Sequence, residues 1–65
     1  MKYEVLTAKQ LAEYLQMDER TIYRLARAGK IPSVKVARQW RFKKDLIDRW
    51  LEEQSEENLN KGNPV

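Results

Sequence analysis

Three arginines near the middle of the chain have a spacing that could bind an anion. If residues 18–29 (DERTIYRLARAG) form a helix, Arg20, Arg24 and Arg27 fall within about 60° of one another, opposite Ile22. Guanidinium groups held on one side of a helix repel one another, and a bound phosphate or guanine edge relieves this repulsion. An ordinary solvated helix face is the alternative, but such a face usually carries acids at i±4 positions. The spacing therefore predicts an anion-binding surface.

Basic residues are concentrated around this segment, although the formal net charge is only +3. Residues 20–44 contain no acid, and three aromatic residues, Tyr23, Trp40 and Phe42, are interleaved with the bases. A basic zone of this kind within a folded domain is typical of nucleic-acid binding, whereas a disordered basic tail would lack the apolar periodicity. The bases in this zone are Arg20, Arg24, Arg27, Lys30, Lys35, Arg38, Arg41, Lys43 and Lys44.

Composition excludes several other classes of protein. The chain has 65 residues, enough for one small domain without an enclosed active-site cleft. It contains no Cys and no His, which excludes zinc fingers, disulfides, thiol nucleophiles and His-based acid-base catalysis. We therefore expect no enzymatic activity and no metal or other cofactor. No apolar run approaches the roughly 18 residues of a membrane span, and no signal peptide is evident, so we expect a cytoplasmic, nucleoid-associated protein without membrane contact.

Capping residues predict two helices separated by a tight turn. Thr7 and Gln10 match the capping-box pattern, and the apolar spacing after them predicts a helix that runs to Gln16, preceded by an extended lead-in. Asp18 can cap a second helix, and Gly29 can end it in the left-handed conformation. Two helices joined by so short a turn, with the cationic surface on the second, predict a helix-turn-helix in which the second helix reads DNA.

After Gly29 the apolar period changes from 3.6 to 2, which predicts a small hairpin, or wing. Pro32 prevents the helix from continuing, and two alternating segments flank a turn at residues 37–39. We expect Lys35 and Arg38 on the outer side of the wing or at its tip. The apolar side, expected to close over the helices, comprises Val34, Val36, Trp40 and Phe42.

Helical spacing returns at residues 43–54 and predicts a third helix, with Trp50 as a core anchor. Residues 55–65 show no apolar periodicity, which predicts a flexible C-terminal tail outside a domain of residues 1–54. The predicted fold is therefore mainly α with a small β-hairpin, a winged helix-turn-helix of three helices and a two-stranded wing. The inward face of the third helix is expected to comprise Leu46, Ile47, Trp50 and Leu51.

Residues 6–51 resemble a known family. The matching segments are L-T-x-x-x-L-A-x-x-L at the start, T-I-Y-R-L in the second helix, G-K-I-P after it, V-x-V and W-R-F in the hairpin, and D-L-I-D-R-W-L in the last helix. Together they resemble the excisionase-type members of the MerR-like winged helix-turn-helix group. The resemblance implies that the second helix enters the DNA major groove and that the wing lies against the backbone or in the adjacent minor groove.

Carried over by position, the resemblance implies site residues in both elements. The family commonly has Gly in the wing turn, where this chain has Ala37, Arg38 and Gln39. A turn that requires positive φ would be strained here, so we expect a longer or differently shaped tip. The implied reading-helix residues are Arg20, Thr21, Tyr23, Arg24 and Arg27, and the implied wing residues are Lys35, Arg38 and Gln39.

Several of these residues have alternative roles. We expect Arg20 and Arg24, near the front of the helix, to read guanine, with a phosphate contact as the alternative for each. Thr21 could serve only the helix start. Arg41 is as compatible with pairing to a carboxylate such as Asp45 as with a DNA contact. Phosphate contacts that position the domain are expected from Tyr23, Arg27 and Lys30.

These patterns predict sequence-specific binding of double-stranded DNA. The resemblance implies an excision factor that sets the direction of recombination, binds cooperatively with other copies of itself and acts with an integrase or recombinase. A small transcriptional regulator is the other role that it allows. An alternative of a different class is a protein-protein interaction module with the same fold, whose basic face binds an acidic protein.

Overall fold

A computed structural model describes residues 4–60, and for residues 57–60 the backbone alone. The predicted mainly α, winged helix-turn-helix fold is confirmed: three helices surround one core, and a small antiparallel sheet contains the wing. Within residues 4–60, none of the helices is both long and apolar enough to cross a membrane. The elements in chain order are β1 (Val5–Leu6), α1 (Ala8–Leu15), α2 (Glu19–Arg27), β2 (Val34–Val36), β3 (Gln39–Lys43) and α3 (Lys44–Asn60).

The first helix begins at the predicted capping box. The Gln10 backbone N–H donates to Thr7 Oγ1 at 3.1 Å, and the Thr7 backbone N–H donates to Gln10 Oε1 at 2.9 Å. The helix ends where Gln16 adopts the left-handed conformation, with φ 58°. The Met17 N–H then donates back to Ala12 O at 2.8 Å, which turns the chain sharply into α2.

Both predicted ends of the second helix are confirmed. Asp18 caps its start, because its carboxylate accepts from the Arg20 backbone N–H at 2.8 Å. At the other end Gly29 has φ 69°, and its N–H donates to Ala26 O. The Lys30 N–H donates to Leu25 O at 2.9 Å, so the last carbonyls are satisfied by a Schellman motif.

The extended lead-in forms a third strand, which the sequence analysis did not anticipate. β1 pairs antiparallel with β3, with Val5 opposite Lys43 and Leu6 opposite Phe42, so the strand order is β1-β3-β2. The Lys44 N–H donates to Glu4 O at 3.0 Å and extends this pairing. A two-residue strand is too short for its alternation to be recognised, but its pairing gives the hairpin a third strand.

The predicted orientation of the hairpin is wrong, because its two strands pair in a register that differs by one residue from the expected one. Val36 pairs with Gln39 and Val34 pairs with Arg41, so the turn contains two residues and not the expected three. Cross-strand partners share a face, and a shift of one residue moves a side chain to the other face. Val34 and Val36 therefore lie on the solvent side, 39% and 55% exposed, while Phe42 is fully buried on the helix side.

The core receives one large side chain from each of four elements. Leu11 of α1, Ile22 of α2, Phe42 of β3 and Ile47 of α3 are each completely buried. Leu15, Leu25, Trp40 and Trp50 pack around them as partly buried side chains, as expected of a core-anchoring Trp50.

The third helix differs from its prediction in its face and in its length. Leu46 and Leu51, expected to point inward, are 39% and 38% exposed. The helix also continues past the expected boundary at Gln54 to Asn60. Residues 61–65 lie outside the described part of the chain, so a flexible tail there stays a prediction.

A polar cluster joins α1 to α3. The Tyr14 hydroxyl donates to Asp48 Oδ1, and Lys44 Nζ donates to Asp48 Oδ2 at 3.1 Å. The hydrogen bond from Tyr14, and after it the one from Lys44, lowers the pKa of Asp48 below its usual range. Lys44 Nζ also lies 5.0 Å from the centroid of the Tyr14 ring. None of the predicted DNA-contacting residues belongs to this cluster.

Candidate nucleic-acid interface

The outer face of α2 carries the predicted cations together. Ile22 is fully buried and Ala26 is 4% exposed, so the helix can present only its opposite side to solvent. Each of the four side chains on that side is exposed, including Tyr23 at 38%. We call this surface, made of Arg20, Tyr23, Arg24 and Arg27, the reading face.

Arg20 differs from the other two arginines because it is paired within the chain. Its Nε donates to Asp18 Oδ1 and its Nη2 donates to Asp18 Oδ2, both at 3.3 Å. These hydrogen bonds, together with the one from the Arg20 backbone N–H, hold the pKa of Asp18 below its usual range. Among the residues that the structure describes, Arg24 and Arg27 form no ion pair. Repulsion between neighbouring guanidinium groups is therefore offset at Arg20 by Asp18, and less so at Arg24 and Arg27.

Thr21 lies where the helix begins. It is half-buried, and its backbone N–H donates to Asp18 O at 3.0 Å as part of the first turn. This placement fits the structural role that the sequence left open, and a contact between Thr21 and DNA stays a prediction.

The wing and the reading face border one concave surface. A shallow depression runs from the start of α1, past Tyr23 of α2, to the tip and second strand of the wing. Glu19 also borders it, as the acid favoured in the first turn of α2. A phosphate backbone that follows this depression would meet residues from three elements. The polar residues lining it, apart from Glu19, are Thr7, Lys9, Tyr23, Arg38, Gln39 and Arg41.

A family model described as a helix-turn-helix domain matches residues 5–55. The chain belongs to the helix-turn-helix domain family. The match covers both helices of the motif, the whole sheet and the first two-thirds of α3. Searches of curated proteins and of solved structures found no match. Membership supports DNA binding, and domains of this family are typically not enzymes.

In this helix-turn-helix domain the wing residues have partners within the wing. Arg41 donates from Nη1 to Trp40 O and from Nη2 to Gln39 Oε1, both at 2.8 Å, so it pairs with its own strand and not with Asp45. Lys35 lies on the same face as Trp40, with Nζ 4.8 Å from the ring centroid, and not on the opposite face as expected. Both cations are thereby held in place rather than left free to adopt many rotamers.

Two further exposed cations are Lys9, which borders the depression, and Lys30, which lies just beyond the C-terminal end of α2. Lys9 was not predicted as a site residue, although its position two residues after the Thr7 cap places it in the first turn of α1, where it is exposed. Lys30, the last residue of the Schellman motif, is exposed beside Pro32 and Trp50. Their contacts with a phosphate backbone stay predictions.

The wing tip is tighter than the sequence analysis expected. Ala37 and Arg38 have φ of 52° and 67°, which are the two positive values of a type I′ turn. The expected longer tip is therefore wrong, while the strain expected of a positive φ without Gly is present at both positions. Both side chains are exposed, so burial offsets little of this strain.

We expect Arg38→Gly to stabilise the helix-turn-helix domain while it weakens DNA binding. A non-Gly residue in the left-handed region lowers the free energy of unfolding by about 1–2 kcal/mol, and Gly avoids this cost. The greater conformational entropy of Gly in the unfolded chain lowers the free energy of unfolding by about 0.4–1 kcal/mol. The net effect should be an increase in the free energy of unfolding of up to about 1 kcal/mol. Loss of the cation should reduce affinity for duplex DNA severalfold. Thermal unfolding and fluorescence anisotropy with a labelled duplex measure the two effects.

Ala37→Asn is the matched control for this substitution. Asn tolerates the left-handed region, so this variant should gain stability without loss of affinity. Full DNA affinity in Arg38→Gly would show that the wing tip does not contact the duplex.

Proposed function

We propose that this domain binds double-stranded DNA sequence-specifically, with α2 in the major groove and the wing on the flanking sugar-phosphate backbone. The observation that carries this proposal is that Tyr23 of the reading face and Arg38, Gln39 and Arg41 of the wing border one depression. The major groove admits one α-helix, and the core leaves only the cationic side of α2 available to enter it.

Within this proposal the residues divide into two roles. Arg20 and Arg24, one turn apart on α2, contact base edges, where a guanidinium can bind guanine O6 and N7 together. The remaining residues position the domain on the backbone and carry no sequence information. This second group comprises Tyr23, Arg27, Lys30, Lys35, Arg38, Gln39 and Arg41.

The biological role that fits such a domain is that of an excision factor or a small transcriptional regulator. A single small domain reads only a few base pairs, so useful specificity requires several copies on neighbouring sites or a second DNA-binding protein. The resemblance to excisionase-type proteins supports cooperative binding of several copies and contact with an integrase or recombinase. DNA bending by several bound copies would set the direction of recombination.

A second candidate is an interaction module for an acidic protein. The outer face of the sheet favours it, because Val5, Val34 and Val36 are exposed there beside Arg41 and Lys43. Exposed apolar residues next to bases are typical of a surface that contacts protein. A protein that bound this sheet face would not contact the cations of α2. DNA binding remains the stronger proposal, because it gives these cations a role.

The experiment that tests DNA binding is a titration of a random-sequence duplex at about 50 mM salt, where non-specific affinity is high. We expect the wild-type protein to bind, and Arg27→Ala to bind several times more weakly. Arg49→Ala, which removes the same charge from the exposed surface of α3, is the control and should change affinity less than twofold. Absence of duplex binding, or equal losses in both variants, would contradict the proposal and favour the acidic-protein alternative.

A further inference from the structure

The carboxylate of Asp18 binds both the backbone and the side chain of the same residue. Oδ1 accepts from the Arg20 backbone N–H at 2.8 Å, which caps α2. The same oxygen and Oδ2 accept from Arg20 Nε and Nη2, each at 3.3 Å. A helix cap needs only the first of these bonds, so the two contacts with the guanidinium require another explanation.

The pairing determines which donors of Arg20 remain available. A guanidinium has five N–H groups, and Asp18 takes one from Nε and one from Nη2. Among the described residues the other three, the two N–H groups of Nη1 and the second one of Nη2, have no partner, and they lie at the far end of the side chain. The Arg20 side chain is 91% exposed despite this pairing, so its free end extends into solvent. An end-on pair of donors, one on Nη1 and one on Nη2, matches guanine N7 and O6.

The same carboxylate disfavours binding to phosphate alone. Asp18 neutralises the charge of Arg20 at close range, and the Asp18 side chain is itself 53% exposed. A phosphate oxygen approaching Arg20 would be repelled by this carboxylate, whereas a neutral guanine edge would be repelled much less. The orientation of Arg20 and the negative charge of Asp18 thus have the same effect. Both weaken non-specific contact of Arg20 with phosphate and favour its contact with a base edge.

We propose that Asp18 is a specificity-determining positioning residue, which holds Arg20 end-on towards a guanine and lowers the affinity of the domain for non-cognate DNA. The proposal rests on the proposed DNA-binding function and deepens it. Asp18 does not itself need to contact the duplex, because it acts through Arg20.

Asp18→Ser separates this role from capping. Ser is about as good an N-cap as Asp, so α2 should keep its start, but its short hydroxyl cannot pair with the guanidinium. The duplexes for the test are a site selected by the wild-type protein from a random library, the same site with each guanine replaced in turn, and a random sequence. Thermal unfolding should show nearly unchanged stability.

We expect Asp18→Ser to bind random duplex a few times more tightly, because one negative charge near the phosphates is removed. Discrimination at one guanine should fall by about tenfold, within the range for one bidentate contact. Arg20→Ala should remove the same discrimination in the wild-type protein and change little in Asp18→Ser, since the two residues act as a pair. A merely structural cap would not produce this coupling.

Three results would overturn the proposal. Unchanged discrimination in Asp18→Ser would limit Asp18 to capping. Equal losses on selected and random duplex in Arg20→Ala would make Arg20 a phosphate contact. Failure of the wild-type protein to bind any duplex would contradict both this proposal and the proposed function. This result can be told apart from failure of the Asp18 proposal alone, because it is seen with the wild-type protein before any substitution is made.

Discussion

The affinity of the domain for duplex DNA is expected to fall about a thousandfold between 50 and 200 mM salt, because cations that neutralise phosphates release the condensed counterions of the duplex. About six phosphate contacts at roughly −0.9 each give a slope of log affinity against log salt near −5. Six cations outside the base-contacting pair can supply this number: Lys9, Arg27, Lys30, Lys35, Arg38 and Arg41. Anisotropy titrations of one labelled duplex at several salt concentrations measure the slope.

Two variants make the salt experiment specific for the proposed surface. Arg27→Ala should make the slope shallower by about 0.9, because one phosphate contact is lost. Arg49→Ala should leave the slope unchanged, since Arg49 lies on α3 outside the reading face and the wing. A wild-type slope shallower than about −2 would mean that the helix and the wing do not engage the duplex together.

Arg24→Ala is expected to weaken binding to a cognate site more than binding to random DNA. Arg24 is exposed on the reading face and forms no ion pair among the described residues, so its whole guanidinium is available. A bidentate contact with guanine contributes about 1–3 kcal/mol of discrimination. The measurement is the ratio of affinities for a selected site and for random duplex, in the wild-type protein and in the variant.

The fold itself should tolerate the change at Arg24. The structure places Arg24 in the last turn of α2, and not near the front of the helix as predicted from the sequence. A cation there interacts with the helix dipole by about 0.3–1 kcal/mol, so thermal unfolding should shift only slightly. Arg49→Ala, with the same change in net charge, should lower both affinities equally and by little. Equal losses on the two duplexes in Arg24→Ala would instead assign Arg24 to a phosphate contact.

Features that depend on local chemistry could be predicted from the sequence. The capping box of Thr7 and Gln10, the cap at Asp18 and the left-handed Gly29 each involve residues within a few positions of one another. The orientation of α2 was also predictable, because the burial of Ile22 fixes the opposite side as the exposed one. The candidate site on α2 therefore follows from residue type and helical period.

Features that depend on register or on rotamers could not be predicted. A turn of two residues instead of three moved Val34 and Val36 to the solvent side, and nothing in the alternation of the strands distinguishes the two lengths. The pairing of Arg20 with Asp18 depends on the side-chain conformations of an otherwise ordinary cap. Both differences concern the candidate interface. The register of the hairpin determines on which face Lys35 lies, and the pairing with Asp18 restrains Arg20.

Chemical-shift mapping tests most directly whether a duplex lies along the reading face and the wing together. On addition of a duplex to the isotope-labelled protein, the largest changes should fall on the amides of residues 20–30 and 37–41. The amides of Tyr14 and Asp48, in the polar cluster that joins α1 to α3, should change little. Changes concentrated on Val5, Val34 and α3, with α2 unaffected, would contradict the account.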